Sequence, residues 1–229
     1  MIILRKSEDR GRAQHGWLDS HHTFSFADYF DPSQMGYGDL RVINEDRVSP
    51  SSGFGMHSHS NMEIISYVIE GALAHRDTMG NASTLSEGDV QRMSAGMGVM
   101  HSECNPSDAD PVHFLQIWIL PSEKGLVPGY EQKHFPEADK TGKLCLIASP
   151  DGRNSSLSIR QEAEIYATIP LEGVTRLMRR GRIAYLQVVK GNVNLNGLDL
   201  SAGDGAKIES EHKLRLKGDG EALIFDLKG

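Results

Sequence analysis

The residues best suited to chemistry are His57-Ser58-His59 and His101-Ser102-Glu103. On a β-strand, residues i and i+2 project from the same face, so each pair presents two donor side chains together. Neutral imidazoles converging in the mouth of a barrel suit zinc, iron, copper, nickel or cobalt. Both pairs follow glycine-rich runs, Gly53-Phe54-Gly55 and Gly96-Met97-Gly98. A second acid, Glu63, stands four residues past His59 with the same parity. Spacing alone leaves Glu63 and Glu103 both open as the carboxylate partner.

These pairs need strands to hold them, and the chain is built for strands. Short runs rich in β-branched and aromatic residues recur, such as Glu63 to Ile69, His113 to Leu120 and Ala184 to Lys190, each followed by glycine-containing turns. That pattern predicts an all-β sandwich or barrel. Helical periodicity is weak, and only Asp31-Pro32 and Pro106 offer starts for a short helix. A faint repeat relates Ser66 to Gly71 with Leu186 to Gly191, an offset of 120 residues. Two similar β domains are therefore expected, joined by the proline- and glycine-rich stretch between Pro121 and Lys143. We place them at 1–125 and 126–229.

The ordered set of motifs resembles the pirin family, whose members consist of two tandem cupin domains, each a jelly-roll-like β-barrel. The residues that carry the likeness include Gly16-Trp17-Leu18-Asp19-Ser20, His22-Thr23-Phe24-Ser25-Phe26, Leu40-Arg41-Val42-Ile43-Asn44, the two His-containing pairs, and Leu115-Gln116-Ile117-Trp118. Gly88, Gly96, His101 and Asn105 stand where the second cupin motif wants them, with Ser94 in place of its usual proline. The likeness spans nearly all of the first half and is more diffuse in the second.

The resemblance implies one divalent metal ion held by His57, His59, His101 and Glu103, with Fe(II) favoured and Ni, Mn, Co, Cu or Zn compatible. It makes Glu103 the ligand in preference to Glu63. It also implies an enzyme of the quercetin 2,3-dioxygenase kind, which opens the ring of flavonol-like aromatics with dioxygen, with Glu103 as ligand and general base at once. Pirins are also described as transcriptional co-regulators, so the alternative is a non-catalytic metal-binding regulator acting through a protein partner. Shifted by 120 residues, His57 and His59 fall on Leu177 and Arg179, so the second domain is expected to be a degenerate cupin without metal.

Composition sets the outer limits. The chain has 229 residues, a net charge of −7 and only two cysteines, Cys104 and Cys145. An acidic chain argues against direct nucleic-acid binding. The arginine knot Arg176 to Arg182 reads as a solvated face. No apolar run approaches the roughly 20 residues of a membrane span, and no secretory leader is visible. A reduced cytoplasm and a monomer are the expectations. Met56, Met62, Met97 and Met100, with Phe54, flank the ligands and would suit an apolar substrate. Cys104 is expected as a buried thiol. His75 and His113 are expected to be locally bonded strand residues, His134 and His212 to lie on the surface, and His15, His21 and His22 to have a minor claim on substrate.

Overall fold

The computed structural model describes residues 1–229. It contains almost no helix beyond Glu137–Lys140 and two short 3-10 turns, and none forms at Asp31 or Pro106. No helix is long and apolar enough to cross a membrane. The chain folds into two tandem cupin domains, each with one seven-stranded and one four-stranded sheet.

In the N-terminal domain the large sheet runs Gly129–His134, Asp89–Ser94, Glu63–Glu70, Val112–Ile119, Leu40–Val48, Leu18–His22, Gly11–Gln14. The small sheet runs Gly53–His59, Val99–Cys104, Ala72–Asp77, Ala82–Ser86. The C-terminal domain repeats this order strand for strand. Its Arg182–Lys190 holds the place of Glu63–Glu70, as the 120-residue repeat requires. Two segments cross the division at 125/126: Gly129–His134 pairs with Asp89–Ser94, and Ile2–Arg5 pairs with Gly205–Ile208. The stretch that looks like a connector thus contributes a strand to the first domain's sheet, and the N-terminus one to the second's.

Central strands of the large N-terminal sheet are buried on both faces. Ile65, Tyr67, Ile69, Leu115 and Ile117 point outward into a 24-residue core shared with Ile165, Tyr185 and Phe225 of the second domain. At roughly 25 cal/mol per Å² of apolar surface removed from water, such a shared core holds the two barrels together. Lys140 adds a buried polar tie, donating to Tyr67 Oη at 2.9 Å and pairing with Glu221 at 2.6 Å.

The inward face of the same sheet is different. Apolar clusters fill its two ends, one around Val68, Leu73 and Phe114 and the other around Ile64, Met93 and Val99. Between them a polar row crosses five strands in direct register: His22, Asn44, Gln116, Ser66, Gln91. In the second domain the corresponding row is Leu146, Tyr166, Ile224, Leu186, Ala206, all within its apolar core.

The arginine knot is a solvated face only in part: Arg179 and Arg180 are exposed, but Arg176 and Arg182 turn inward. Arg176 and Arg179 grip Glu164 at 2.8 and 2.7 Å, and Arg176 and Arg182 grip Asp226 at 2.7 and 2.6 Å. Two buried carboxylates inside the second barrel demand these partners.

Candidate metal centre

His57 and His59 stand on one face of Gly53–His59, and His101 lies directly opposite His57 on the neighbouring strand. Ring centroids are 4.4 Å apart for His57 and His101, 5.0 Å for His59 and His101, and 4.8 Å for His57 and His59. One nitrogen of each lies within 4.8 Å of the others'. That is close to the spread that bonds of about 2.1 Å to one ion require. Gly53 permits the approach of the two strands: a Cβ there would sit 2.4 Å from the Cα of Cys104.

The donor chemistry fits a divalent metal. His101 is fully buried, yet neither of its ring nitrogens has a hydrogen-bond partner. A buried imidazole left so costs about 1–3 kcal/mol per unpaired group unless something accepts its lone pair. Burial and then the neighbouring imidazoles push His101 down to about 3 and His59 to about 4, so both are neutral with lone pairs available. His57 Nδ1 lies 2.8 Å from the Gly55 carbonyl. A proton held there as a donor leaves Nε2 free as a ligand atom, the usual outer-shell arrangement.

Glu103 is buried, and elements of the opposite sheet hold its carboxylate. Ser66 donates to Oε1 at 2.9 Å and Gln116 Nε2 to Oε2 at 2.6 Å. It shares a cavity with His57 and His59, and a carboxylate oxygen lies within 4.8 Å of a ring nitrogen of His101 and of His75. Burial raises its proton affinity, with the bonded Ser66 hydroxyl acting against that rise.

His75, expected only as a locally bonded strand residue, belongs to the centre. It faces Glu103 across the strand pair, fully buried, with Nε2 3.1 Å from Asp77 Oδ2 and Nδ1 without a partner. Its signal was present as His75-Arg76-Asp77, a third pair with the same two-residue spacing. The local hydrogen bond expected of it exists, but it lies at the centre rather than away from it.

Glu63 goes elsewhere. Residues 60–62 break the strand, with Asn61 at positive φ, so parity does not carry through from His59. Glu63 shares the outward face of Ile65 and Tyr67, where Ser94 Oγ and the Arg160 amide donate to Oε2 at 2.8 and 3.2 Å.

A cavity of about 280 Å³ opens in front of the histidines, with Trp17, Phe26, Phe54 and Trp118 as its aromatic walls. Phe54 lines it as expected, but the four methionines do not. Met56 and Met100 are exposed on the outer side of the small sheet, Met97 is exposed in the turn before Val99–Cys104, and Met62 packs against the Ile64 cluster. Cys104 is exposed too, because alternation from Glu103 turns it to solvent. His15 and His22 reach the cavity. His113 bonds Glu45 at 2.9 Å and His134 bonds Asp89 at 2.8 Å, both away from the site.

Comparison with known proteins adds family evidence. The family model described as Pirin matches residues 4–119, and one described as Quercetinase C-terminal cupin domain matches residues 146–227. The chain is 47% identical to a quercetin 2,3-dioxygenase of Escherichia coli over 99% of each chain. It is 41% identical to a pirin-like protein of Caulobacter vibrioides over 98% of this chain and 99% of the relative. Its fold superimposes on the crystal structure of the E. coli bacterial pirin YhhW in complex with nickel(II) with a TM-score of 0.95. That match has 46% identity and covers 100% of this chain and 99% of the other.

Proposed function

The chain belongs to the pirin family, and on that footing we propose that it is a metal-dependent dioxygenase that opens the central ring of quercetin-like flavonols. The observation that carries the reading is the convergence of His57, His59 and His101, with His57 and His59 lining an aromatic-walled cavity of about 280 Å³. The E. coli relative, named quercetin 2,3-dioxygenase, supports the substrate and reaction class.

In this reading His57, His59, His101 and Glu103 hold one divalent ion, with iron(II) favoured. When bound, that ion supplies a Lewis acid with positions left open for a substrate oxygen and dioxygen. The protein does the rest. Trp17, Phe26, Phe54 and Trp118 sandwich a planar aromatic and keep water from it. Glu103, held at both oxygens by Ser66 and Gln116, receives the proton of the flavonol hydroxyl at its carboxylate. Overall, both atoms of dioxygen enter the product, the ring opens, and one carbon leaves as carbon monoxide.

The test is aerobic incubation of metal-loaded protein with quercetin, following loss of flavonol absorbance and release of carbon monoxide. His101→Ala should abolish both. If iron, nickel, manganese, cobalt, copper and zinc all fail to support turnover above the His101→Ala background, the dioxygenase reading is wrong. The metal-binding regulator then leads.

A further inference from the structure

The polar row across the large N-terminal sheet has a closed end and an open end. Gln91, Ser66 and Gln116 form a chain that ends on Glu103: Gln91 Nε2 reaches Ser66 Oγ at 3.4 Å, Ser66 Oγ lies 3.1 Å from Gln116 Oε1, and Ser66 and Gln116 donate to Glu103. At the cavity end the row is left open. His22 and Asn44 are paired directly across adjacent strands, each 3% exposed. Asn44 Oδ1 and His22 Nδ1 have no hydrogen-bond partner, although both residues line the cavity. Beside them, in the next inward-facing pair of the same two strands, Ser20 donates to Asp46.

Two buried polar atoms left unpaired side by side are costly unless a ligand pairs with them. An amide oxygen takes only a donor, and the hydroxyl of a phenol is one. Burial first, and then the charges of His21 and Arg10, hold His22 at about 4. Its ring is therefore neutral and offers one acceptor nitrogen. An aromatic path links this wall to the histidines. Phe26 stands edge-on to His22 at 5.2 Å and to Trp118 at 5.3 Å, and Trp118 to His59 at 4.9 Å. A planar molecule lying along that path would touch both ends.

We infer that Asn44 and His22, with Asp46 beside them, form a recognition wall for phenolic hydroxyls on the part of the substrate remote from the metal-binding histidines. The inference rests on the flavonol reading and deepens it: the protein selects polyhydroxylated flavonols over bare ones. Asn44 and His22 are specificity-determining residues that bind a substrate group which does not react.

The probes are quercetin and 3-hydroxyflavone, which keeps the chelating hydroxy-ketone and lacks every other hydroxyl. Binding to nickel-loaded protein without oxygen is read from the fluorescence of Trp17 and Trp118, the only tryptophans, both at the cavity. Wild type should favour quercetin by roughly tenfold or more. Asn44→Leu and His22→Phe should each weaken quercetin roughly tenfold and leave 3-hydroxyflavone within about threefold. Under air, KM for quercetin should rise while kcat for 3-hydroxyflavone holds. Circular dichroism identifies any variant that does not fold, and the other then decides. If both flavonols bind and the preference survives in the folded variants, the wall is wrong and the flavonol reading stands. If wild type binds neither flavonol, both fall together.

Discussion

Gln116 reaches from the large sheet to donate a 2.6 Å hydrogen bond to Glu103 on the small one. The carboxylate proposed as ligand and base is thus oriented by a residue of the opposite wall of the barrel. A hydrogen bond to a charged group is worth about 1.5–3 kcal/mol, and outer-shell partners of metal ligands typically govern 10–100-fold in affinity. Gln116→Leu should therefore weaken nickel or iron binding roughly tenfold or more, measured by chelator competition. Unchanged affinity would mean that Glu103 does not depend on that bond.

The two candidate acids separate cleanly in space. Glu103→Gln should weaken metal binding and abolish turnover. Glu63→Gln should keep the metal and lower Tm by a few degrees, since about 1 kcal/mol shifts a domain of this size by about 2–4 °C. Metal analysis and thermal melts on the same two preparations decide it. Loss of metal from Glu63→Gln alone would favour the ordinary cupin ligand set.

Metal removal should expose the cost of His101. With both ring nitrogens buried and without hydrogen-bond partners, metal-free protein carries the desolvation cost of that imidazole. Metal-free His101→Leu should then melt at or above metal-free wild type. Saturating metal at about 100 times Kd should stabilise wild type by about 2.7 kcal/mol and leave the variant unmoved. A large drop in Tm for metal-free His101→Leu would show that the ring serves packing.

Stoichiometry follows from the contrast between the polar row of the first barrel and its apolar counterpart in the second. Where the first barrel carries Ser66 and Gln116, the second carries Leu186 and Ile224 in an apolar core. Elemental analysis should find one metal per chain. Two per chain, one of them lost on changing the second domain, would contradict the assignment.

Acid should weaken the second barrel through Glu164. Burial alone would raise its pKa, but the Tyr166 hydroxyl and the Arg153 and Arg179 guanidiniums bring it down to about 2. A carboxylate depressed in the folded state stabilises above its unfolded pKa of about 4.3, and that contribution is lost as pH falls towards about 2. Glu164→Gln should therefore melt well below wild type at pH 7, and the gap should close between about pH 4.5 and pH 2. A gap that does not change with pH would assign the loss to packing.

Much of the centre was legible in sequence because it is local. His57-Ser58-His59 and His101-Ser102-Glu103 lie within single strands, where a two-residue period sets which side chains share a face regardless of the rest of the fold. The repeat relating Ser66 to Leu186, and Leu177 and Arg179 where it would put histidines, are also properties of the linear order. The residues read wrongly depend on what happens between strands. Glu63 lost its parity with His59 through one break at residues 60–62. Met56 and Met100 sit beside the ligands in sequence but on the outer face in space. Tertiary structure alone decided that His75 meets Glu103, that Gln116 holds it, and that His22 and Asn44 stand open in one row with Gln116. Each of those contacts joins strands far apart in the chain, and register between such strands is set by which faces the two cores bury, a property no single segment carries.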